Sequence, residues 1–234
     1  MNETTPSPHY SFDEIAAEFV KYAPAYAQEE AKEAIRRVQE LQFQGVIRNG
    51  VYYIVLVDLV GSTKYAATHG NDALANRVQQ FVISSFSALN ETHLKNIGLF
   101  LKEIGDAVLF IFQHFPDVIR WKVEFDKWLA IFDEEEPLDV RVCVHLGEVY
   151  LDGVNPLSIA VSQAFKMEKK VQTGHVVLTD PAYCVAWPTI ARAYHGFEDY
   201  DTVDLDGFAS PVKLHRLVVH DANDTKRIVD ESID

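Results

Sequence analysis

The segment that most constrains the fold is a run of apolar residues at 51–59, Val-Tyr-Tyr-Ile-Val-Leu-Val-Asp-Leu. Its β-branched and aromatic residues favour a strand. Because the apolar residues follow one another without alternating with polar ones, the strand is predicted to be central and covered on both faces. Asp58 breaks this pattern. A carboxylate at the end of a buried strand destabilises the fold unless it is paired, hydrogen-bonded or bound to a metal ion.

The sequence around this strand predicts one α+β domain over residues 50–219. Apolar residues recur at helical spacing in three stretches, at 74–89, 115–132 and 157–171. Further strands are predicted at 98–102, 107–113, 140–146 and 175–179, with a closing hairpin at 199–219. The order of these elements predicts one mainly antiparallel sheet with helices packed on it.

Outside this domain the chain is predicted to carry three appendages. Residues 1–10 are polar and contain proline, so we expect a disordered tail. Apolar residues at helical spacing over 11–48 predict an N-terminal helical segment, which Pro24 kinks or splits. Residues 220–234 are polar and acidic, so we expect a flexible tail. A length of 234 residues suits one large domain with such appendages.

The composition argues against several classes of function. The net charge of −14 repels phosphate backbones, which argues against a nucleic-acid partner. Cys143 and Cys184 stand far apart, as is typical of buried thiols in a reducing compartment, and the histidines lack the close spacing of a zinc site. The N-terminus lacks the features of a signal peptide, and no apolar run is long enough to span a membrane. We therefore expect a cytoplasmic protein without a membrane partner.

A second aspartate, Asp106, lies on the predicted hairpin that precedes the apolar run 107–112. Two carboxylates on adjacent strands would form a hard oxygen site suited to Mg²⁺ or Mn²⁺. Gly61-Ser62-Thr63 directly follows the first strand and leads into a helix, so its backbone N–H groups can face a phosphate. The alternative is structural: Asp58 caps the following helix and Asp106 is merely a turn residue.

Five segments of the chain, in order, resemble the catalytic domain of class III nucleotidyl cyclases. The first resembles their first metal motif, the second their second metal motif, and the others the following strand, the next helix and the closing hairpin. They are Val57-Asp58-Leu59-Val60-Gly61-Ser62-Thr63 with Gly70-Asn71-Asp72-Ala73-Leu74, Lys102-Glu103-Ile104-Gly105-Asp106-Ala107, Arg141-Val-Cys-Val-His145-Leu-Gly147-Glu148-Val149, Ala164-Phe165-Lys166-Met167-Glu168, and Leu205-Asp206-Gly207 with Pro211-Val212. Together they cover roughly residues 50–218.

The resemblance implies a ferredoxin-like fold and a two-metal reaction. Asp58, Asp106 and the Leu59 carbonyl would hold two divalent ions, Mg²⁺ or Mn²⁺. These ions would activate the ribose 3′-hydroxyl for in-line attack on the α-phosphate, which yields a 3′,5′-cyclic nucleotide and pyrophosphate. The family works as head-to-tail dimers, so the resemblance implies a homodimer. One protomer would supply the metal site, and its partner the residues that bind base and ribose.

Three positions depart from the family pattern. Lys166 occupies the place of the transition-state arginine, which keeps the charge but loses the bidentate fork. Ser162 replaces the ribose-positioning asparagine, and Asp206 replaces the lysine of the closing hairpin that contacts the triphosphate. The alternative for Lys166 is a solvated helix residue beside Lys169 and Lys170.

The choice of base depends on Lys102 and Asn155, which align with the family's base-binding pair. An asparagine amide can bind uracil, or adenine when flipped. A cyclase domain without receptor or transduction modules is similar to the bacterial pyrimidine cyclases of antiphage (Pycsar) systems, which make cyclic UMP or cyclic CMP for a separate effector protein. We therefore expect a UTP or CTP cyclase. The alternatives are an adenylate cyclase, a catalytically silent nucleotide-binding protein of the same fold, and another two-metal phosphoryl-transfer enzyme.

Overall fold

The computed structural model describes residues 49–91, 98–131, 137–152, 155–190, 196–206 and 208–218. The chain divides into two compact units, residues 1–48 and 49–234, and all described residues belong to the second. The predictions for the N-terminal tail, the N-terminal helical segment and the acidic C-terminal tail therefore lie outside the described residues.

Eight strands and five helices make up the described part of the chain. The strands are β1 (Gly50–Leu59), β2 (Gly98–Ile104), β3 (Ala107–Phe112), β4 (Val140–Asp152), β5 (Asn155–Leu157), β6 (Val176–Thr179), β7 (Phe197–Val203) and β8 (Val212–Leu217). The helices are α1 (Ser62–His69), α2 (Asn71–Glu91), α3 (Phe115–Ile131), α4 (Ile159–Glu168) and α5 (Asp180–Ile190).

The strands form one sheet in the order β2-β3-β1-β4-β6-β8-β7, and β5 pairs with the outer half of β4. Every pair is antiparallel except β4 with β6. The prediction of one mainly antiparallel sheet with helices packed on it is thus confirmed. β1 lies in the interior of the sheet between β3 and β4, and its residues 52–59 are buried. The apolar run therefore forms the central strand that its composition predicted.

Aromatic packing on one face of the sheet joins α2 and α3 to β3. Trp121 of α3 is fully buried and lies 4.9 Å from Phe110 and 5.0 Å from Phe125, between ring centroids. Its indole N–H donates a hydrogen bond of 3.0 Å to the Ser85 carbonyl of α2. A buried indole needs such a partner, so this bond fixes how the two helices meet.

Helix α4 covers β1 and β4 on the opposite face, where Gly147 permits a very close approach. A Cβ atom added at Gly147 would lie 2.3 Å from the Cβ of Ala160. Further along the same strand, the buried Cys143 thiol donates a hydrogen bond of 3.4 Å to the Ala164 carbonyl of α4. The absence of a side chain at Gly147 therefore allows the helix to seat directly on the strand.

Helix α1 and strand β5 were not among the predicted elements, and the structure also differs from the prediction at β4, α4 and α5. β4 extends to Asp152. Its outer half, residues 147–152, is more polar but still pairs with the start of β1 and with β5. α4 is shorter than the predicted 157–171. It begins at Ile159, directly after the N-cap residue Ser158, whose side chain accepts a hydrogen bond from the Ala160 N–H. α5, which contains Pro188, was not predicted. None of the described helices is long and apolar enough to span a membrane.

Candidate active site

The two candidate metal-binding aspartates lie at the same end of the sheet, where β1 ends and β3 begins. Asp58 pairs in register with Ala107, the first residue of β3, and Asp106 directly precedes that residue in the β2–β3 turn. The Leu59 N–H donates a hydrogen bond of 2.9 Å to the Asp106 carbonyl, which ties the end of β1 to this turn. Asp58 is 8% exposed and Asp106 is partly exposed. The structure therefore brings together the two carboxylates that the sequence singled out.

Asp58 does not cap the helix that follows. The N-cap of α1 is Gly61, in the left-handed conformation with φ +82°, and no side chain caps this helix. The Ser62 hydroxyl is buried and donates a hydrogen bond of 3.0 Å to the Leu59 carbonyl. Gly61 and Thr63 are exposed, and a Cβ atom at Gly61 would meet nothing within 4 Å. The turn is therefore open on its outer side, where a phosphate can approach.

Two residues that sequence reasoning did not assign to the site, Arg141 and Glu168, hold the Asp58 carboxylate. The Arg141 Nε and Nη2 atoms lie 2.8 and 2.7 Å from Asp58 Oδ2. The same Nε lies 2.6 Å from Glu168 Oε1, at the end of α4. A signal was present in the sequence: Arg141 is a cation at the start of an apolar strand, and Glu168 follows buried positions of an amphipathic helix.

The carboxylates of this cluster are shifted by their surroundings. Burial raises the pKa of Asp58, and the hydrogen bond and positive charge of Arg141 act against that rise. Burial, together with the nearby charge of Asp58, raises the pKa of Glu168 to about 7. One guanidinium thus serves two buried acids, which compete for its positive charge.

Lys166 and Ser162 lie on the exposed side of α4, one turn apart. The Lys166 ammonium donates a hydrogen bond of 2.6 Å to the main-chain carbonyl of Asp206, in the turn between β7 and β8. This contact links the helix to the closing hairpin across 40 residues of sequence, although the Lys166 side chain remains exposed.

The two candidate base-binding residues lie on β2 and β5, two strands that contact each other. Lys102 of β2 pairs in register with Leu109 of β3, near the end of the sheet where Asp58 and Asp106 lie. Asn155 begins β5 and pairs with Asp152, at the far end of β4 from Arg141. At about 3.3 Å per residue, the 11 residues from Arg141 to Asp152 span up to about 35 Å. Within one chain, Asn155 is thus remote from Asp58.

The donor set at Asp58 and Asp106 fits a divalent ion that also binds phosphate. The described residues contain no group of three or more His, Cys, Asp or Glu side chains placed to hold a metal ion. Mg²⁺, however, usually takes only one or two carboxylates and completes its shell with water and substrate phosphates. Two carboxylates with the Leu59 carbonyl supply the hard oxygen ligands for that arrangement.

The architecture is that of nucleotidyl cyclase domains. The adenylyl cyclase CyaB from P. aeruginosa is 14% identical with a TM-score of 0.57, and the match covers 75% of this chain and 98% of that one. The adenylate/guanylate cyclase/hydrolase from Silicibacter pomeroyi is 17% identical, with a TM-score of 0.59 and coverage of 74% and 98%. The guanylate cyclase domain of RhGC from Catenaria anguillulae, solved with GTP, is 14% identical, with a TM-score of 0.57 and coverage of 73% and 97%.

These similarities establish the fold. No protein-family model and no curated protein sequence matches the chain. The structural similarity therefore confirms the predicted α+β cyclase fold.

Proposed function

We propose that this chain is a nucleotidyl cyclase, which converts a nucleoside triphosphate to the 3′,5′-cyclic nucleotide and pyrophosphate. The observation that carries the proposal is the placement of Asp58, at the end of β1, beside Asp106, in the turn that leads into the neighbouring strand β3. Proteins of the same fold include adenylyl and guanylyl cyclases, one of them solved with GTP. A carboxylate pair beside the open Gly61 turn supports binding of a metal-bound triphosphate in this fold.

The residues of this chain have separate tasks in the proposed reaction. Asp58, Asp106 and the Leu59 carbonyl hold two divalent ions, Mg²⁺ or Mn²⁺. When bound, these ions lower the pKa of the ribose 3′-hydroxyl and offset the charge of the triphosphate. The backbone N–H groups of Gly61, Ser62 and Thr63 face the phosphates at the start of α1.

The bond changes define what Lys166 has to do. The 3′-oxygen attacks the α-phosphorus in line, a new P–O bond closes the ring, and the bond to the bridging oxygen breaks to release pyrophosphate. Negative charge develops on the α-phosphate and the leaving group. Lys166 supplies a cation there once its ammonium leaves the Asp206 carbonyl, and Ser162 lies one turn away to position the ribose.

We propose UTP or CTP as the substrate, with the base bound by Lys102 and Asn155. An amide can accept from the N3–H of uracil and donate to O4, while the ammonium donates to the other carbonyl. The same amide, flipped, suits adenine, so an adenylate cyclase is the alternative. The resemblance to antiphage pyrimidine cyclases supports a cytoplasmic second-messenger synthase whose product is recognised by a separate effector protein, with neither a membrane nor a nucleic acid as partner.

A homodimer is proposed because one chain does not complete the site. The distance of up to about 35 Å along β4 separates the position of Asn155 from that of Asp58. If both residues bind one nucleotide, they must come from different protomers. Two-fold pairing of identical chains then creates two equivalent sites.

One observation favours a second candidate function, a catalytically silent protein that binds nucleotide. Lys166 is held by a carbonyl of its own chain, and Asp206 adds a negative charge where a phosphate-binding cation is expected. Weak phosphate binding of this kind is compatible with sensing a nucleotide and with little turnover.

Separate incubation of the purified protein with ATP, GTP, CTP or UTP and Mn²⁺ tests the proposal, with products identified by mass spectrometry. A cyclic nucleotide from UTP or CTP alone supports the pyrimidine cyclase, and cyclic AMP supports the adenylate cyclase. Asp58→Asn is the control and should form no product. Nucleotide binding detected by thermal shift without any cyclic product would favour the silent protein.

A further inference from the structure

One buried oxygen beside the candidate metal site has no hydrogen-bond partner. Glu168 Oε1 is such an atom in the described part of the chain, together with Arg120 Nε and His175 Nδ1. Buried acceptors without a partner are rare and costly in folded proteins, so each requires an explanation. Of the three, only Glu168 Oε1 lies next to Asp58 and Arg141.

The guanidinium of Arg141 lies between two carboxylates but bonds fully with one. Its Nε atom donates a hydrogen bond of 2.8 Å to Asp58 Oδ2, and its Nη2 atom lies 2.7 Å from the same oxygen as an ion pair. Glu168 Oε1 is even closer to Nε, at 2.6 Å, yet lies outside hydrogen-bonding alignment. Arg141 thus has one acceptor in use and a second within reach of a small rotation.

A divalent cation at Asp58 changes the balance between these two acceptors. It withdraws negative charge from the Asp58 carboxylate and repels the guanidinium, because both carry positive charge. Since the side chains of Asp58 and Glu168 are only 11% and 10% exposed, water screens this repulsion weakly. The Oε1 atom of Glu168 offers the displaced guanidinium an acceptor that has no hydrogen bond to lose.

We propose that Arg141 is a positioning residue that holds Asp58 in the metal-free site and shifts to Glu168 when a divalent cation binds. Glu168 thereby sets the affinity of the site for the metal without being one of its ligands. This inference rests on the proposed function, because it requires that Asp58 binds the metal.

A double-mutant cycle on the full chain tests the proposal, with Mn²⁺ alone as the probe and its binding followed by electron paramagnetic resonance without nucleotide. Glu168→Gln replaces the carboxyl group that accepts the displaced guanidinium by an amide, so Mn²⁺ affinity should fall by about tenfold or more, as for other groups behind metal ligands. Arg141→Gln removes the competing cation and should raise the affinity. In the Arg141→Gln background, Glu168→Gln should change the affinity by less than about twofold, because the two residues act as one unit.

The matched control is Glu198→Gln. Glu198 also pairs with an arginine, Arg216, but lies on the edge strand β7, away from Asp58. The Glu198→Gln substitution also converts a glutamate to a glutamine, and it should leave Mn²⁺ affinity unchanged. Arg141→Lys serves if Arg141→Gln fails to fold: it keeps a cation but loses the fork, so it should also raise Mn²⁺ affinity and reduce the effect of Glu168→Gln.

Two results would overturn the proposal. Unchanged Mn²⁺ affinity in Glu168→Gln is one. An equal loss in the wild-type and Arg141-substituted backgrounds is the other, since Glu168 would then act on the cation directly. By contrast, Mn²⁺ binding that is absent from the wild-type protein, or that survives Asp58→Asn, would contradict the metal site of the proposed function itself.

Discussion

Asp58 has a different environment from the residues that precede it in β1. Residues 54–57 are apolar and completely buried, whereas Asp58 places a carboxylate at almost the same depth. The structure keeps it there with a hydrogen bond and an ion pair from Arg141, and leaves it beside Asp106. A residue whose burial has to be compensated in this way is a strong candidate for function, because an apolar residue would stabilise the strand at lower cost.

We expect Asp58→Asn and Asp106→Asn each to lower turnover by at least about 100-fold, because ligands of a catalytic ion contribute several kcal/mol to transition-state stabilisation. The amide keeps the shape of the side chain, so the thermal unfolding midpoint should shift by only a few degrees. Cyclic nucleotide formation and differential scanning fluorimetry measure the two effects. Asp204→Asn, at an exposed position outside the sheet, is the control. Full turnover in either site variant would contradict the two-metal mechanism.

At the scale of elements, α4 is the helix that positions most of the candidate site. It presents Ser162 and Lys166 to solvent on one side and Glu168 to Arg141 on the other. Its seat on β4 depends on Gly147, where only a hydrogen atom fits beside Ala160. The height of the helix above the sheet therefore decides where these side chains lie.

We expect Gly147→Ala to lower the free energy of unfolding by about 1–3 kcal/mol, the usual cost of overpacking a closely packed contact. The new Cβ would lie 2.3 Å from that of Ala160, so helix and strand must separate. Urea denaturation measures the change. The double variant with Ala160→Gly restores the space between helix and strand. Its free energy of unfolding should then be lower than that of the wild type only by about 1 kcal/mol, the cost of placing a glycine in a helix. Strictly additive losses would show that the two residues do not meet.

The two cysteines should differ sharply in reactivity, because they lie in elements of opposite exposure. Cys143 of β4 is buried, and burial raises the pKa of its thiol, whereas Cys184 of α5 is exposed. A thiol reagent such as Ellman's reagent should therefore modify Cys184 rapidly in the native protein and Cys143 only after unfolding. Cys184→Ser should abolish the fast phase. Rapid modification of native Cys143 would contradict the seat of α4 on β4.

At the scale of the whole molecule, the sheet separates residues that the proposed reaction needs together. Asp58 and Asn155 are assigned to opposite ends of β4 by strand register. A second copy of the chain is the simplest source of the missing residues, because a two-fold axis places the same surface of both protomers at one interface. The active unit is therefore expected to be larger than one chain.

Mixing two inactive variants tests this expectation. Asp58→Asn damages the proposed metal-binding set, and Lys102→Ala damages the proposed base-binding set. If each active site takes one set from each protomer, a heterodimer contains one intact site. An equal mixture should then recover about a quarter of wild-type activity, since half of the dimers are heterodimers with one of two sites intact. A mixture no more active than its components would show that each chain carries a whole site.

Much of the fold was predictable because it follows from local patterns. The central strand, the β2–β3 hairpin, the helices α2 and α3 and the closing hairpin all correspond to runs of apolar residues with a clear period. α5 lies in a stretch for which no element was predicted, and it contains Pro188, a residue that is unfavourable within helices. The outer half of β4 was missed because its stability comes from pairing with β1 and β5, which the strand's own residues do not reveal.

The central strand, the two aspartates at its end and the glycine turn beside them follow from the sequence, because burial pattern and turn chemistry are encoded over a few residues. What surrounds those aspartates depends on the folded molecule. Arg141 reaches Asp58 across 83 residues, and Lys166 reaches the Asp206 carbonyl across 40. Such contacts depend on strand order and on the seat of a helix, which long-range packing sets. The electrostatic environment of the candidate site is therefore a property of the folded sheet.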